Sequence, residues 1–353
     1  MDDIHATPSN IRSGYPLWVV NSESPEQIAS LRYMAFLPAQ ARRETVVPFL
    51  PGMSATSVLN QYCPTTLVLT KAFDPSVVAL ARAARQRSIP IVVVLCDDRT
   101  DRPQFHELDL ALADLADDIV VQTVAMAEHV SKIFGRECTI IEEPYEMPAG
   151  IPRFNPGETL DLLWYGRFTN HDTLGAGILP LVNDPALAFR LTVVTDRVTE
   201  QLAALVRQIR GREGAGIELR RWSLAAQGEA LGRADVVVIP SLDRQDKRVK
   251  GHNRLVESIR AGVFALAYSL PAYRELSEFC WCGGDLHAGL TWTLANREAA
   301  VDRVRQGQTY IEQRFSIDSI SSRWQQLFDA RNPMRHCDIN SYQRPALDDD
   351  RGS

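Results

Sequence analysis

Short apolar runs without polar alternation recur along the chain, and each is followed by a stretch of helical periodicity. Residues 89–95 read IPIVVVL and residues 235–240 read DVVVIP. A strand this apolar has to be covered on both faces, the condition of a parallel sheet flanked by helices on each side. Parallel strands cannot be joined by tight turns; each pair needs a crossover of a dozen or more residues, usually a helix. The chain is therefore constrained to an α/β architecture in which strands and helices alternate.

The alternation runs twice. In the first half, strands at 16–21 (PLWVVN), 66–70 (TLVLT), 89–95, 119–122 and 138–142 alternate with helices at 25–37, 75–86, 107–114 and 125–134. Ser24, Pro25 and Glu26 supply a capping residue, a proline at the first helical position and an acidic first turn for the earliest of these helices. Residues 143–156 (EPYEMPAGIPRFNP) hold four prolines and no apolar period, so they read as a linker. A second series then starts, with strands at 161–165, 189–195, 216–222, 235–240 and 264–268. Its helices fall at 199–209, 225–234 and 253–261, and two more follow near 295–308 and 317–330.

This pattern predicts two Rossmann-like, doubly wound α/β domains, at 15–150 and 151–331, between a flexible amino terminus (1–14) and a disordered polar tail (332–353). A chain of 353 residues suits two cores of ordinary size. Open parallel sheets bind ligands outside the carboxyl ends of their strands, so the expected site is a central cleft between the domains.

Composition narrows the function. A net charge of −6 with no basic block argues against a nucleic-acid partner. The six cysteines show no zinc spacing, and no metal site is expected. The opening MDDIHATPSNIRSG lacks the basic and apolar segments of a secretory signal, and no apolar run approaches membrane-spanning length. The expected location is cytoplasmic, with peripheral contact at the inner face of the membrane left open. No G-x-G-x-x-G follows any predicted strand, which disfavours a simple dehydrogenase.

The richest segment is 235–272, DVVVIPSLDRQDKRVKGHNRLVESIRAGVFALAYSLPA. A buried strand leads through a basic loop into a helix start, the layout of a phosphate site. Free backbone N–H groups near Asn253, the helix dipole and the cations Lys247, Arg248, Lys250 and Arg254 would all favour a diphosphate. Glu257 lies four residues after Asn253, on the same helical face, and a carboxylate there suits two vicinal ribose hydroxyls. The alternative is that Glu257 pairs with Arg254 or Lys250 on an exposed surface. Trp222, ending a strand on the crevice side, is either a platform for a nucleobase or a core residue.

In the first domain, strand 89–95 runs into Asp97 and Asp98 at a carboxyl end facing the cleft. The pair is a candidate for binding an acceptor hydroxyl or acting as base, or else a loop-capping pair. Lys71 ends strand 66–70 in the same way, and His106 follows close behind the acidic pair, within reach of the crevice or as a surface residue at a helix start.

Here the sequence resembles the GT-B glycosyltransferases, especially the large retaining group whose donor domain carries a stretch like L-L-E-A-M-A-A-G before an apolar strand. LVESIRAGVFALA matches that stretch, ADVVVIPS resembles the family's A-D-hydrophobic-P-S strand, WYGRFTN its strand-G-R phosphate loop, and YIEQRFSIDSISSRWQQLF its terminal helices. The resemblance implies that Glu257 is the ribose carboxylate and that Arg167 contacts the donor's phosphates. It implies transfer of a sugar from a nucleotide-sugar donor to a hydroxyl acceptor, glycan or lipid-linked, in bacterial polysaccharide or glycoconjugate assembly, with no metal cofactor. Two departures stand out. GRFTNHDTLG lacks the family's lysine after the G-R loop, for which Lys250 is the candidate replacement, and Val249 occupies the place of the acid eight residues before Glu257. The expected catalytic set is accordingly Asp97, Asp98, Arg167 and Lys250; Arg167, Lys250, Asn253, Arg254, Glu257 and Trp222 would hold the donor, and Lys71, Asp97, Asp98 and His106 would face the acceptor. A nucleotide-sugar epimerase and a non-catalytic nucleotide- or glycan-binding protein remain the competing readings.

Overall fold

A computed structural model describes residues 14–331. The two segments expected to lack order, 1–14 and 332–353, lie outside the described residues apart from Gly14.

Two six-stranded, wholly parallel sheets form the framework. The first contains β1 (Pro16–Val20), β2 (Thr45–Pro48), β3 (Thr66–Thr70), β4 (Ile91–Val94), β5 (Asp118–Val121) and β6 (Thr139–Ile140), in the order β2-β1-β3-β4-β5-β6. The second contains β7 (Leu160–Tyr165), β8 (Phe189–Thr195), β9 (Ala215–Arg221), β10 (Val236–Ile239), β11 (Phe264–Ala267) and β12 (Trp281–Cys282), in the order β12-β11-β10-β7-β8-β9. The expected fold class holds: both sheets are doubly wound. Strand order reverses around β1 in one and between β7 and β10 in the other, and at such points the crossover helices diverge and open a crevice.

Every residue of β1, β3, β4, β10 and β11 is buried, as their apolar runs require, with Thr66 and Thr70 at the ends of β3 the buried polar exceptions. Covering helices start where side chains can satisfy the first free amides. Thr123 accepts from Met126 N, Thr199 from Leu202 N and Ser223 from Ala226 N.

Several elements depart from the sequence reading. The single helix expected at 25–37 is a 3-10 turn (Pro25–Gln27), a short α segment (Ala29–Leu31), a π turn (Arg32–Phe36) and a further α segment (Leu37–Ala41), and Ser24 makes no side-chain cap. β2 and the helices Ala55–Tyr62, His171–Val182 and Leu286–Ala295 went unread because their apolar patterns are short or interrupted by glycine and proline.

The terminal helix Ile317–Arg331 follows the second domain in sequence but packs on the first. Trp324 meets Trp18 of β1 at 4.6 Å between ring centroids, and Phe328 and Ile320 join the same buried cluster. Arg331 pairs with Asp118 at the end of that helix. The boundary at 331 therefore describes the sequence, whereas in space this helix belongs to the first domain's core. The proline-rich linker is likewise fastened to its neighbours. Gly150 N donates to Arg260 O at 2.9 Å, and Gln308 donates to the carbonyls of Gly150 and Arg260.

Candidate functional site

Between the carboxyl ends of the two sheets lies a cleft of about 260 Å³. The second domain contributes Tyr165, Gly166 and Arg167 after β7, Asp196 after β8, Trp222 after β9, and Asn253 and Arg254 at the start of helix Asn253–Arg260. The first domain closes it with residues 27–29 and Tyr33, from the irregular helical segment after β1.

The electrostatics of the cleft come from that helix start. No side chain caps the helix, and Leu255 N and Val256 N already donate to the His252 carbonyl, so it is the start of the helix at Asn253 and Arg254, with the positive end of its dipole, that borders the cavity. Arg254 Nη1 and Asn253 Nδ2 are buried and have no hydrogen-bond partner among the described residues. Two orphaned donors beside an uncapped helix amino end are an arrangement that an anion could satisfy, since leaving a buried donor unpaired costs about 1–3 kcal/mol. Gly166 allows the β7 loop to come close: a methyl group built on it would lie 3.6 Å from Arg254 Nη1 and 3.2 Å from the Trp164 ring. Arg167 is half exposed and reaches 3.6 Å from Asp196, which also accepts from Phe168 N at 2.8 Å and so holds the loop in place.

Lys247 is buried nearby and donates to Asn170 Oδ1 at 2.8 Å; desolvation lowers its pKa. It is tied to the segment after the G-R loop, whereas Lys250 pairs with Asp97. Trp222 lines the cleft with its indole N–H held by Gln227 Oε1 at 2.9 Å, leaving a ring face as the apolar wall.

Glu257 departs from the exposed-surface alternative. It is not on an exposed surface and pairs with neither Arg254 nor Lys250; its side chain is fully buried. Oε1 accepts from the Tyr33 hydroxyl at 3.0 Å and from Glu146 N at 2.9 Å, while Oε2 accepts from Met147 N at 2.9 Å. Burial pushes the carboxyl up to about 7 against the pull of these three donors. Helix, linker and first domain thus meet at one carboxylate, and its face toward the cleft is occupied by Tyr33.

A second cluster floors the crevice. Asp97, just past β4, lies 2.6 Å from Lys71 Nζ and also pairs with Lys250 of the opposite domain. Burial opposes ionisation, but Lys250 and Lys71 together hold this carboxyl far below the usual range. Lys71 takes the left-handed backbone (φ 47°) and also donates to Ser30 Oγ at 2.9 Å. The structure brings Lys71 and Asp97 together, as expected of two groups at neighbouring strand ends, and adds Lys250, which is committed to Asp97 instead of standing free for a phosphate. The other half of the acidic pair turns away: Asp98 accepts from Thr100 N at 3.0 Å and Oγ1 at 2.6 Å and lies 3.3 Å from His129, the loop-capping alternative. His106 stacks on Phe134 at 5.8 Å and takes no part in the cluster.

Val249 is explained by packing. It is buried in the first domain's hydrophobic cluster, and its carbonyl accepts from Thr123 Oγ1 at 3.3 Å, so the loop before the helix docks into the opposite domain. An acid there would be buried among apolar side chains. Among the described residues no group of three or more His, Cys, Asp or Glu side chains is placed to hold a metal ion.

No protein-family model and no curated protein sequence matches the chain. Solved structures do. HepE of Anabaena in complex with UDP superimposes with a TM-score of 0.65 at 13% identity, over 90% of this chain and 100% of that one. Sucrose-phosphate synthase from Thermosynechococcus elongatus gives 0.67 at 12%, over 92% and 100%, and the catalytic domain of starch synthase IV from Arabidopsis thaliana, bound to ADP and acarbose, gives 0.55 at 10%, over 78% and 75%. The fold is GT-B. In GT-B terms the first sheet with its returning terminal helix is the amino-terminal domain, and the uncapped helix belongs to the carboxy-terminal one. Among the described residues no helix is long and apolar enough to cross a membrane.

Proposed function

We propose that this GT-B protein is a glycosyltransferase that moves a sugar from a nucleoside-diphosphate donor to a hydroxyl acceptor. The observation that carries the reading is the pair of unpartnered donors, Arg254 Nη1 and Asn253 Nδ2, at an uncapped helix start inside the interdomain cleft. A diphosphate bound there satisfies both and meets the helix dipole. Charge grows on the diphosphate as the glycosidic bond breaks, so Arg254, Arg167 and Lys247 stabilise the transition state more than the ground state. These cations and the helix end supply the stabilisation, and the reaction calls for no metal cofactor. Trp222 stacks on the base. The ribose reaches Glu257 by taking the place of the Tyr33 hydroxyl, which makes the same kind of hydrogen bond to the same oxygen.

The solved relatives that hold UDP or UDP-glucose make uridine nucleotides the first donors to test. The acceptor, a glycan or a lipid-linked saccharide in polysaccharide or glycoconjugate assembly, approaches from the amino-terminal domain on the cytoplasmic side. Lys71 and Asp97 lie on that approach. Thermal-shift titration with UDP, GDP, CDP, ADP and CMP tests the site. At least one diphosphate should raise the melting temperature, and Arg254→Ala should abolish the shift. Absence of stabilisation by every nucleotide rejects the reading.

A further inference from the structure

Gln227 lies in the first turn of helix Leu224–Arg233, which follows β9, and it lines the cleft together with Trp222. It is 4% exposed, so what little it leaves open opens on the cleft. Its Oε1 accepts from the Trp222 indole N–H at 2.9 Å, while its Nε2 has no partner among the described residues. An indole N–H only donates, so it is met by the oxygen of a carboxamide and never by the nitrogen. Trp222 therefore fixes which way the amide points. The end left for the cleft is an NH2 group, with two donors and no acceptor.

The position suits the base of a nucleotide. β9 stands two strands from β7 in the sheet, about 10 Å at the spacing of paired strands, so a ribose and base extend from the anion end at Asn253 and Arg254 toward Trp222. Away from that end, the polar side chains that the second domain brings to the cleft are committed within the fold. Asp196 accepts from Phe168 N, Asn170 Oδ1 accepts from Lys247, and the Tyr165 hydroxyl donates to Arg254 O.

We infer that Gln227 reads the nucleobase: with the base stacked on Trp222, the edge farthest from its ribose meets the Gln227 amide, which donates to a carbonyl there. The inference rests on the glycosyltransferase reading above and gives its donor a class. Uracil and guanine carry an oxygen at that edge, whereas cytosine and adenine carry an amino group that sets donors against the Gln227 donors. The site selects keto bases and rejects amino bases, because two facing donors leave each other unpaired. The amide has no way to adapt, since turning it sets its NH2 against the indole N–H.

Isothermal titration tests this with wild type, Gln227→Glu and Trp222→Phe and two nucleotide pairs that differ at that edge, UDP against CDP and inosine diphosphate against ADP. Wild type should favour UDP over CDP, and inosine diphosphate over ADP, by about tenfold or more. Gln227→Glu keeps an oxygen for the indole and turns the donor end into an acceptor, so both ratios should fall to one or invert. Its added charge weakens all four diphosphates alike and cancels in each ratio. Trp222→Phe keeps a ring for stacking and frees the amide to turn, so both ratios should shrink while UDP still binds. Equal affinities within each pair in wild type, or ratios unchanged in Gln227→Glu, overturn the assignment. Nucleotide binding without discrimination leaves the donor site standing, whereas no binding by any of the four defeats the donor reading and this one together.

Discussion

The hydroxyl of Tyr33, on the amino-terminal domain, donates to Oε1 of Glu257, on the carboxy-terminal domain, at 3.0 Å. Tyr33 also lines the nucleotide cleft, so this one contact both closes the domains and blocks the carboxylate from a ligand. If a ribose hydroxyl takes over the bond, Tyr33→Phe removes the competitor and should bind nucleotide several-fold more tightly. Glu257→Gln, which keeps the shape but loses the charge, should weaken binding by about tenfold or more, the scale of a hydrogen bond to a charged group. Isothermal titration with the best-stabilising nucleotide measures both, and equal affinities in all three proteins would remove Glu257 from the ribose site.

Arg254 and Arg167 are assigned to phosphate, and the assignment has a signature that general damage lacks. Arg254→Ala should lower affinity for a nucleoside diphosphate by roughly 10- to 100-fold, about 1.5–3 kcal/mol, while leaving the weak binding of the bare nucleoside unchanged. Arg167, half exposed, should cost less in binding and more in turnover. A parallel loss of nucleoside binding would point to collapse of the cleft instead.

Stability should depend on pH through Glu257. Its folded carboxyl titrates at about 7, above its ordinary value of 4.5, so the native state binds the extra proton. Stability from this group is full below about pH 4.5 and declines as pH rises toward 7, by on the order of 1–3 kcal/mol. Glu143 acts in the same direction. Urea titrations at pH 5 and pH 8 should therefore show a smaller loss on raising pH in Glu257→Gln than in wild type. An unaltered difference would contradict the burial of this group.

The linker's role is tested by glycine. A methyl on Gly150 would fall 2.0 Å from the Ala261 carbonyl oxygen, whereas one on Gly157 meets nothing within 4 Å. Gly150→Ala should destabilise the protein by about 1–3 kcal/mol, with displacement of the linker from helix Asn253–Arg260, and Gly157→Ala should be close to neutral. Denaturant midpoints for the pair decide it, since similar midpoints would mean that the linker is not seated as described.

The fold was largely legible because its signal is local. Runs such as VVVI in β10 have no stable environment but a sheet covered on both faces, and the alternation with helices dictates parallel order. Arg167, Trp222, Asn253 and Arg254 line one cleft, because each follows a strand or starts a helix at the carboxyl edge of the second sheet, a position readable along the chain. Gln227 went unread because it falls within a helix, and helical periodicity carries no information about which group a buried amide faces. Its place in the first turn after β9 was the available clue. Lys250 was placed on phosphate because nothing along the chain reveals that Asp97 waits across the crevice.

The sequence by itself determined that this chain builds two doubly wound α/β domains, with a helix starting at Asn253 behind a basic loop, because apolar periodicity and helix-end chemistry act over a few residues. Only the tertiary structure decided what each charged group does. Asp97 is a clamp and Glu257 a junction, Val249 docks into the opposite core, and the terminal helix returns to Trp18, because ionisation and packing depend on partners more than a hundred residues away.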